Sequence, residues 1–267
     1  KYAGVTAIDY TYYYYGAGNA NAGTTVNTAM KLSQTQKTLS RPLAAGTSDA
    51  NTKSVTQYLG ALGDEQSDVT IKYAGLTAVD YTYYYYGAAK AQAGTTVNTA
   101  MALSQTQKVA GRPAAEVVTD NTKSITFYKN PVGDEQSDYT AKYANSAIVD
   151  YTAYYYDVSG TATRAGITTV NKRMSLSHTT KSAIAAGSIA EANTKSITSY
   201  AGSVGDEQSD ITTKYAGTTA IDYTYYYYGA GNARAGVTVN TAMKLSQTQS
   251  TLAAPVAGTA DAQTKSI

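Results

Sequence analysis

The chain has 267 residues, no cysteine, only 15% charged residues and a formal net charge of +2. The absence of cysteine excludes a disulfide framework and thiolate metal sites, and the near-neutral charge gives no electrostatic footprint for nucleic acid. No apolar run approaches the roughly 20 residues of a membrane helix, so we do not expect a membrane partner.

The chain starts at Lys1, without Met or a signal peptide. We therefore expect that a leader has been removed or that this is part of a longer protein. The last copy of the repeat described below stops at Ile267 in mid-period. We therefore expect that the natural chain continues beyond this residue. Abundant Thr and Tyr (27 tyrosines) with little charge favour an extracellular or cell-surface location.

The sequence repeats with a period of about 70 residues. The motif Lys-Tyr-Ala opens the copies and predicts four domains: residues 1–71, 72–141, 142–213 and 214–267, the last without its connector. Three connectors of equal length separate the copy cores: Thr56–Ile71, Thr126–Ala141 and Thr198–Thr213. Their constant length indicates structural elements and not slack linkers.

Each copy begins with a tyrosine run, as in Thr6–Tyr15. Aromatic and β-branched residues fit a pleated surface, so this run predicts a strand with side chains on two alternating faces. Gly16–Gly23 follows as a loop, and alternation over Thr25–Ser33 predicts a second strand, which completes a long hairpin. The third copy lengthens only the loop of this hairpin, by two residues.

The second half of each copy predicts another loop and two shorter strands. Leu39–Asn51 contains Pro and Gly and is typical of a loop. Thr52–Tyr58 and Val69–Tyr73 flank a Gly-Asp-Glu-Gln-Ser-Asp turn and predict strands. The expected total is four strands per copy and about sixteen in the chain.

The expected fold is therefore all-β, with four tandem repeats stacked as a linear β array. One alternative is a closed pseudo-fourfold propeller or barrel, and another is a membrane β-barrel. A helical array is a further alternative, because Val26, Met30 and Ser33 within Ala22–Lys37 also lie at helical spacing.

The tyrosine runs are the first candidate site, because tyrosine offers a large contact area at a modest cost in side-chain entropy. Five tyrosines in six positions exceed what one buried face needs, so both strand faces are expected to meet a neighbour. The candidate residues for assembly or ligand stacking are Tyr10, Tyr12, Tyr13, Tyr14, Tyr15, Tyr81, Tyr83, Tyr84, Tyr85, Tyr86, Tyr151, Tyr154, Tyr155, Tyr156, Tyr223, Tyr225, Tyr226, Tyr227 and Tyr228.

The connectors are the second candidate site, because each carries three carboxylates within five residues. Carboxylate oxygens could bind Ca²⁺, the only cofactor that the sequence suggests, while a turn capped by Asp and Ser is the structural alternative. The candidate ligands are Asp64, Glu65, Asp68, Asp134, Glu135, Asp138, Asp206, Glu207 and Asp210.

The sequence contains no recognisable catalytic motif, so we do not expect the protein to be an enzyme. The single histidine, His178, replaces a glutamine of the other copies and is interpreted as a drifted surface residue. Carboxylates recur at the start of each tyrosine run and are interpreted as cross-strand partners of lysine: Asp9, Asp80, Asp150 and Asp222.

These features together predict a non-catalytic structural repeat protein. It would be a self-assembling or adhesive component of an extracellular fibre, sheath or surface layer, with further copies of itself as the main partner. The first alternative is a glycan-binding module that uses the tyrosine ladders, and the second is an outer-membrane β-barrel. Open Thr- and Tyr-rich strand edges favour self-assembly, because such edges pair with other chains unless they are covered.

Overall fold

A computed structural model describes residues 2–3, 6–7, 9–24, 27–42, 44–182, 192–238 and 241–267. Over these residues the chain forms β-strands and one short 3-10 helix, Ile167–Thr169, and no α-helix. The predicted all-β class is therefore confirmed. No helix in this described part of the chain is long and apolar enough to cross a membrane.

The strands recur at the same offsets in successive copies. In the first half of the chain they are β1 (Tyr2–Ala3), β2 (Thr6–Ala7), β3 (Tyr10–Tyr15), β4 (Ala20–Asn21), β5 (Met30–Gln36), β6 (Thr52–Leu59), β7 (Gln66–Ala74), β8 (Thr77–Tyr86), β9 (Ala91–Gln92), β10 (Met101–Gln107) and β11 (Thr122–Lys129). In the second half they are β12 (Gln136–Ala144), β13 (Ala147–Val158), β14 (Thr161–Arg164), β15 (Met174–Thr180), β16 (Thr194–Ala201), β17 (Gln208–Ala216), β18 (Thr219–Tyr228), β19 (Ala233–Arg234), β20 (Met243–Gln249) and β21 (Thr264–Ser266).

The chain divides into two compact units. The first comprises Lys1–Glu135 and Tyr143–Ala147, and the second comprises Gln136–Lys142 and Ile148–Ile267. In the first unit the long strands form an antiparallel meander in the order β3–β5–β6–β7–β8–β10–β11. The short strands β4 and β9 pair back onto β3 and β8.

The second unit repeats this arrangement. Its long strands follow the order β13–β15–β16–β17–β18–β20–β21, all antiparallel, and β14 and β19 pair back onto β13 and β18. In neither unit do the described residues show a pairing that joins the first strand of the meander to the last. The sheet is open, as the linear array predicts, so the closed propeller or barrel is wrong.

The helical alternative for Ala22–Lys37 is also wrong, because Met30–Gln36 is a strand. The second strand of the hairpin begins at Met30 and not at residue 25, since Asn27 has a left-handed φ of 52° that interrupts extended structure. Thr25 and Val26, which the predicted strand includes, lie outside the described residues, as does Ile8 in the first strand.

One face of each sheet, which we call the covered face, carries the apolar core. In the first unit this face includes Val69, Tyr83, Tyr85, Leu103 and Ile125. Two residues of the loop between β10 and β11 pack against it: Ala115 and Val118. A loop that returns over one side of the sheet leaves the other side, which we call the open face, without such a layer.

Candidate functional site

The tyrosine runs distribute their side chains over both faces of the sheet. Alternation places the following on the covered face: Tyr10, Tyr12, Tyr14, Tyr81, Tyr83, Tyr85, Tyr151, Tyr155, Tyr223, Tyr225 and Tyr227. The open face receives Tyr13, Tyr84, Tyr154 and Tyr226. A register shift near the end of each strand precedes the remaining four: Tyr15, Tyr86, Tyr156 and Tyr228.

An arginine lies over the tyrosines of the covered face in every copy. The guanidinium carbon of Arg112 is 4.9 Å from the ring centre of Tyr83 and 5.3 Å from that of Tyr85. Its counterparts are Arg41 over Tyr12 and Tyr14, Arg164 over Tyr139 and Tyr155, and Arg234 over Tyr225 and Tyr227. These tyrosines therefore make cation–π contacts with arginines of the same chain.

The last carboxylate of each connector binds one of these arginines. Asp68 pairs with Arg112, Asp138 with Arg164, and Asp210 with Arg234. Asp68 is only 9% exposed, so the arginine compensates a carboxylate that the fold has largely removed from water.

The glutamate of each connector binds backbone amides. The two oxygens of Glu65 accept hydrogen bonds from the N–H groups of Met30 (3.0 Å) and Gly63 (3.0 Å). Glu135 and Glu207 repeat the arrangement with Met101 and Gly133, and with Met174 and Gly205. Partial burial raises the pKa of Glu65, but the amide hydrogen bonds outweigh that effect and lower the pKa below its usual value.

Two of the three carboxylates in each connector therefore have partners within the protein. Glu65 points to backbone amides and Asp68 to an arginine. Among the described residues, no group of three or more His, Cys, Asp or Glu side chains could hold a metal ion. The structural alternative, a turn whose carboxylates bind the backbone, agrees with this geometry.

The recurrent aspartates that precede the tyrosine runs have lysine partners, as the sequence suggests. Lys123 Nζ lies 2.5 Å from the carboxylate of Asp80. The equivalent pairs are Lys53–Asp9, Lys195–Asp150 and Lys265–Asp222. The lysine comes from the strand two positions along the meander, so each pair spans an intervening strand.

His178 is not a surface residue, contrary to our interpretation of the sequence. Its side chain is completely buried, and Nε2 lies 2.9 Å from Thr194 Oγ1. The glutamines at this position in the other copies are buried too and bind the loop that covers the sheet. Gln105, for example, donates to Val117 O (2.7 Å) and accepts from Glu116 N (3.2 Å).

The open face of each unit carries a row of hydroxyl side chains across seven paired strands. In the first unit the row is Tyr13, Ser33, Thr56, Thr70, Thr82, Thr106 and Ser124. In the second it is Tyr154, Ser177, Thr198, Thr212, Thr224, Thr248 and Ser266. We call these the hydroxyl rows.

The hydroxyl rows are uncharged and internally hydrogen-bonded. Thr56 and Thr70 are joined at 2.8 Å, and Thr198 and Thr212 repeat that distance in the second unit. The residues of both rows are partly or fully exposed, except for two buried serines, Ser33 and Ser177. The rows offer donors and acceptors at strand spacing but contain no side chain that could act as a general base.

Six tyrosines of the open face hydrogen-bond through their phenol groups to Ser or Thr side chains, in four cases to a residue of a hydroxyl row. Tyr84 OH lies 3.0 Å from Thr70 Oγ1, and Tyr58 OH lies 3.1 Å from Ser33 Oγ. The same pattern holds for Tyr128 with Ser104, Tyr154 with Thr140, Tyr200 with Ser177, and Tyr226 with Thr212. Sequence analysis missed Tyr58, Tyr128 and Tyr200, although alternation with Thr and Ser on their strands marks the same face.

A groove of about 320 Å³ adjoins Tyr84 at the end of the first unit's sheet. Its walls include the connector turn at Gly63–Ser67, and Tyr86 and Thr99 also line it. Tyr86 donates a hydrogen bond to Ser67 O at 2.8 Å, and burial raises the pKa of its phenol. Gln66 Nε2 lies 3.3 Å from Thr99 O, which ties the connector to the following copy.

Comparison with models of known protein families and with curated proteins finds no match to this chain.

Proposed function

We propose that this chain is a non-catalytic structural repeat protein, an adhesive component of an extracellular fibre, sheath or surface layer. The open face makes the contacts. The observation that carries this proposal is the pair of hydroxyl rows, which present the same chemistry on seven strands in each unit. Repetition of a weak contact raises total affinity without any single strong site.

The opposite face supports the proposal, because an arginine already lies over some of its tyrosines in each copy. Arg112 stacks on Tyr83 and Tyr85 and pairs with Asp68, so these two rings stabilise the fold. Each tyrosine run therefore contributes side chains to the core on one face of the sheet and to a contact surface on the other face.

The joining of copies also supports a structural role. Connector strand β7 pairs with β6 of its own copy and with β8 of the next, and β17 joins β16 and β18 in the same way. Within each unit one copy therefore continues into the next as sheet, without a flexible linker, and the contact residues keep a fixed spacing.

Adsorption of the purified chain to hydroxyl-terminated and methyl-terminated surfaces, followed with a quartz-crystal microbalance, tests adhesion. The double variant Thr56→Lys, Thr212→Lys places a charge in each row and is expected to adsorb much less to the hydroxyl surface. The matched control is Thr47→Lys, Thr259→Lys, which adds the same charges on exposed loop residues at equivalent positions of two copies. Equal adsorption of wild type and row variant would contradict the proposal.

Self-assembly is the second candidate function, and the rows favour it because every hydroxyl both donates and accepts. Two such faces are chemically complementary to each other. Sedimentation velocity and negative-stain imaging of the wild-type chain are expected to show regular filaments, tubes or sheets. A calcium chelator should not dissolve them, because the connector carboxylates have other partners. Compact single particles at all concentrations would rule out this candidate.

A further inference from the structure

Three of the four copies pair a glutamine with a threonine across two neighbouring strands: Gln36 with Thr52, Gln107 with Thr122, and Gln249 with Thr264. In copy one, a register shift at the end of β5 brings Gln36 opposite Thr52. Both side chains are completely buried, and Gln36 Nε2 lies 3.0 Å from Thr52 Oγ1. A hydroxyl group, which is a nucleophile, therefore meets a carboxamide, which is an acyl group, away from water.

A carboxylate completes this arrangement in copy one. Thr52 Oγ1 donates a hydrogen bond to Asp49 Oδ1 at 2.9 Å. The N–H of Asn51 donates to the same oxygen at 2.9 Å and fixes its position. A general base must lie within about 2.6–3.2 Å of the group whose proton it accepts, and it makes a hydroxyl group nucleophilic. Asp49 meets this condition for Thr52.

Copy two shows how closely the reacting atoms can approach. Thr122 Oγ1 is 3.1 Å from Gln107 Nε2 and 3.3 Å from Gln107 Oε1. Because both of these atoms are bonded to Cδ, Thr122 Oγ1 and Gln107 Cδ are at most about 3.6 Å apart. Reaction between two groups is favoured when their atoms lie about 3–3.5 Å apart. This pair of side chains is therefore close to the geometry for attack.

The glutamine of copy one is also incompletely hydrogen-bonded. Gln36 Oε1 is buried and has no hydrogen-bond partner among the described residues. A buried carbonyl oxygen without a donor is destabilising, and a carboxamide oxygen is a stronger acceptor than an ester oxygen. Conversion of this carboxamide to an ester therefore reduces the cost of its burial.

We propose that Thr52 and Gln36 form an intramolecular ester bond. Asp49 accepts the hydroxyl proton while Thr52 Oγ1 attacks Gln36 Cδ. The tetrahedral intermediate then loses its Cδ–Nε2 bond, and the amino group leaves as ammonia with the proton that Asp49 held. The products are the ester, free ammonia and the restored carboxylate. The bond closes residues 37–51 into a covalent loop in a chain without cysteine, whether or not the open face adheres.

The other copies each differ in one of these groups. Copy two has Thr119 in place of the aspartate, and a neutral hydroxyl group is a poor base. Copy three has Thr180 in place of the glutamine and offers no acyl group. In copy four Asp261 is exposed and Thr264 is only half-buried, so water reaches the site and hydrolyses an ester there. We therefore expect one bond per chain, in copy one.

Mass spectrometry of the intact purified chain tests the bond. Loss of one ammonia should lower the mass by about 17 Da relative to the sequence. Tandem spectra of a tryptic digest should place the link between Gln36 and Thr52. Neutral hydroxylamine, which cleaves esters but not amides, should separate the linked peptides. The full sequence mass, or a loss that maps to another residue, would overturn the proposal.

Variants separate the three roles from a general change in the fold, which far-UV circular dichroism monitors. Asp49→Asn keeps a similar shape without the base and should show the full mass of its sequence, as should Thr52→Ala. Thr52→Ser keeps the hydroxyl group and should retain the loss, as should the matched control Thr122→Ala in copy two. A loss that persists in folded Asp49→Asn or Thr52→Ala would contradict the assignment.

A gain of the bond in copy two is the complementary test. Thr119→Asp supplies the missing base beside Thr122 and should lower the mass by about another 17 Da. If Asp49→Asn does not fold, this variant decides the role of the carboxylate, because no further loss of mass would overturn it.

Discussion

At four places an arginine lies over a pair of tyrosines, and it reaches that position from two different points of the sequence. In copies one and two it comes from the loop after the hairpin, as Arg41 and Arg112. In copies three and four it comes from the short strand after the tyrosine run, as Arg164 and Arg234. The position in space is kept while the position in the chain changes, so the stack is a requirement of the packing.

Removal of this arginine should destabilise the first unit. Arg112→Ala leaves Asp68 without its cation and removes the donors to Tyr84 O (3.1 Å) and Asp68 O (2.8 Å), so we expect a loss of about 2 kcal/mol. Arg112→Lys should recover part of that loss. The control Lys123→Ala breaks a more exposed pair and should cost less than about 1 kcal/mol in the same urea titration. Equal costs would contradict a special role for the stack.

The buried glutamines offer a second test at the scale of single residues. Gln105→Ala leaves Val117 O and the N–H of Glu116 without a partner under the loop, and should cost about 2 kcal/mol of unfolding free energy. Gln105→His should cost less, because His178 shows that an imidazole fits this position and reaches the following threonine. The interpretation is wrong if histidine destabilises more than alanine in thermal unfolding.

At the scale of elements, the connector is a strand with a tight turn and not a flexible spacer. Gly60 has φ +118°, and a Cβ there would lie 2.4 Å from Asp64 O. Gly202 repeats this geometry, with φ +122° and a distance of 2.5 Å from Asp206 O. Copy two uses Asn130 at the same place, with φ 84°. The turn therefore accepts only residues that tolerate the left-handed region.

Substitution at this turn should separate backbone strain from loss of a side chain. Gly60→Ala is expected to cost about 2–3 kcal/mol, and Gly60→Asn less, since asparagine tolerates positive φ. Gly18→Ala serves as the control, because a Cβ at Gly18 meets no atom within 4 Å. Chemical denaturation that gives the same midpoint for all three variants would remove the argument for strain at Gly60.

At the scale of the whole molecule, the many buried phenols tie stability to alkaline pH. Burial raises the pKa of Tyr84, Tyr86 and Tyr225 above the ordinary value of 10.0. These groups stay protonated in the fold while the unfolded chain ionises near pH 10. Above that pH the unfolded state binds fewer protons than the native state, so stability is lost as the pH rises through the folded pKa values.

We therefore expect the urea concentration at the midpoint of unfolding to be constant up to about pH 9.5 and to fall at higher pH. Phenolate absorbance should rise at a higher pH than it does for free tyrosine. Tyr86→Phe removes one of these groups and should make the decline less steep, at the cost of the hydrogen bond to Ser67 O. Phenolate absorbance that follows the ordinary titration of free tyrosine, with no change in midpoint, would contradict this link.

The sequence alone determined the periodicity, the all-β class, the long hairpin and the Asp–Lys pairs, because alternation and turn residues are local properties of the chain. It failed where the outcome depends on which side of the sheet a loop covers. His178 looks like a drifted surface residue in sequence, yet its side chain is completely buried and lies 2.9 Å from Thr194 Oγ1. For the connector carboxylates the sequence leaves a calcium site and a capped turn as alternatives, and only folding brings an arginine to Asp68 and backbone amides to Glu65. The register across seven strands aligns the hydroxyl rows and separates the tyrosines of the covered face from those of the open face. Register is a property of paired strands, so only the tertiary structure decides it.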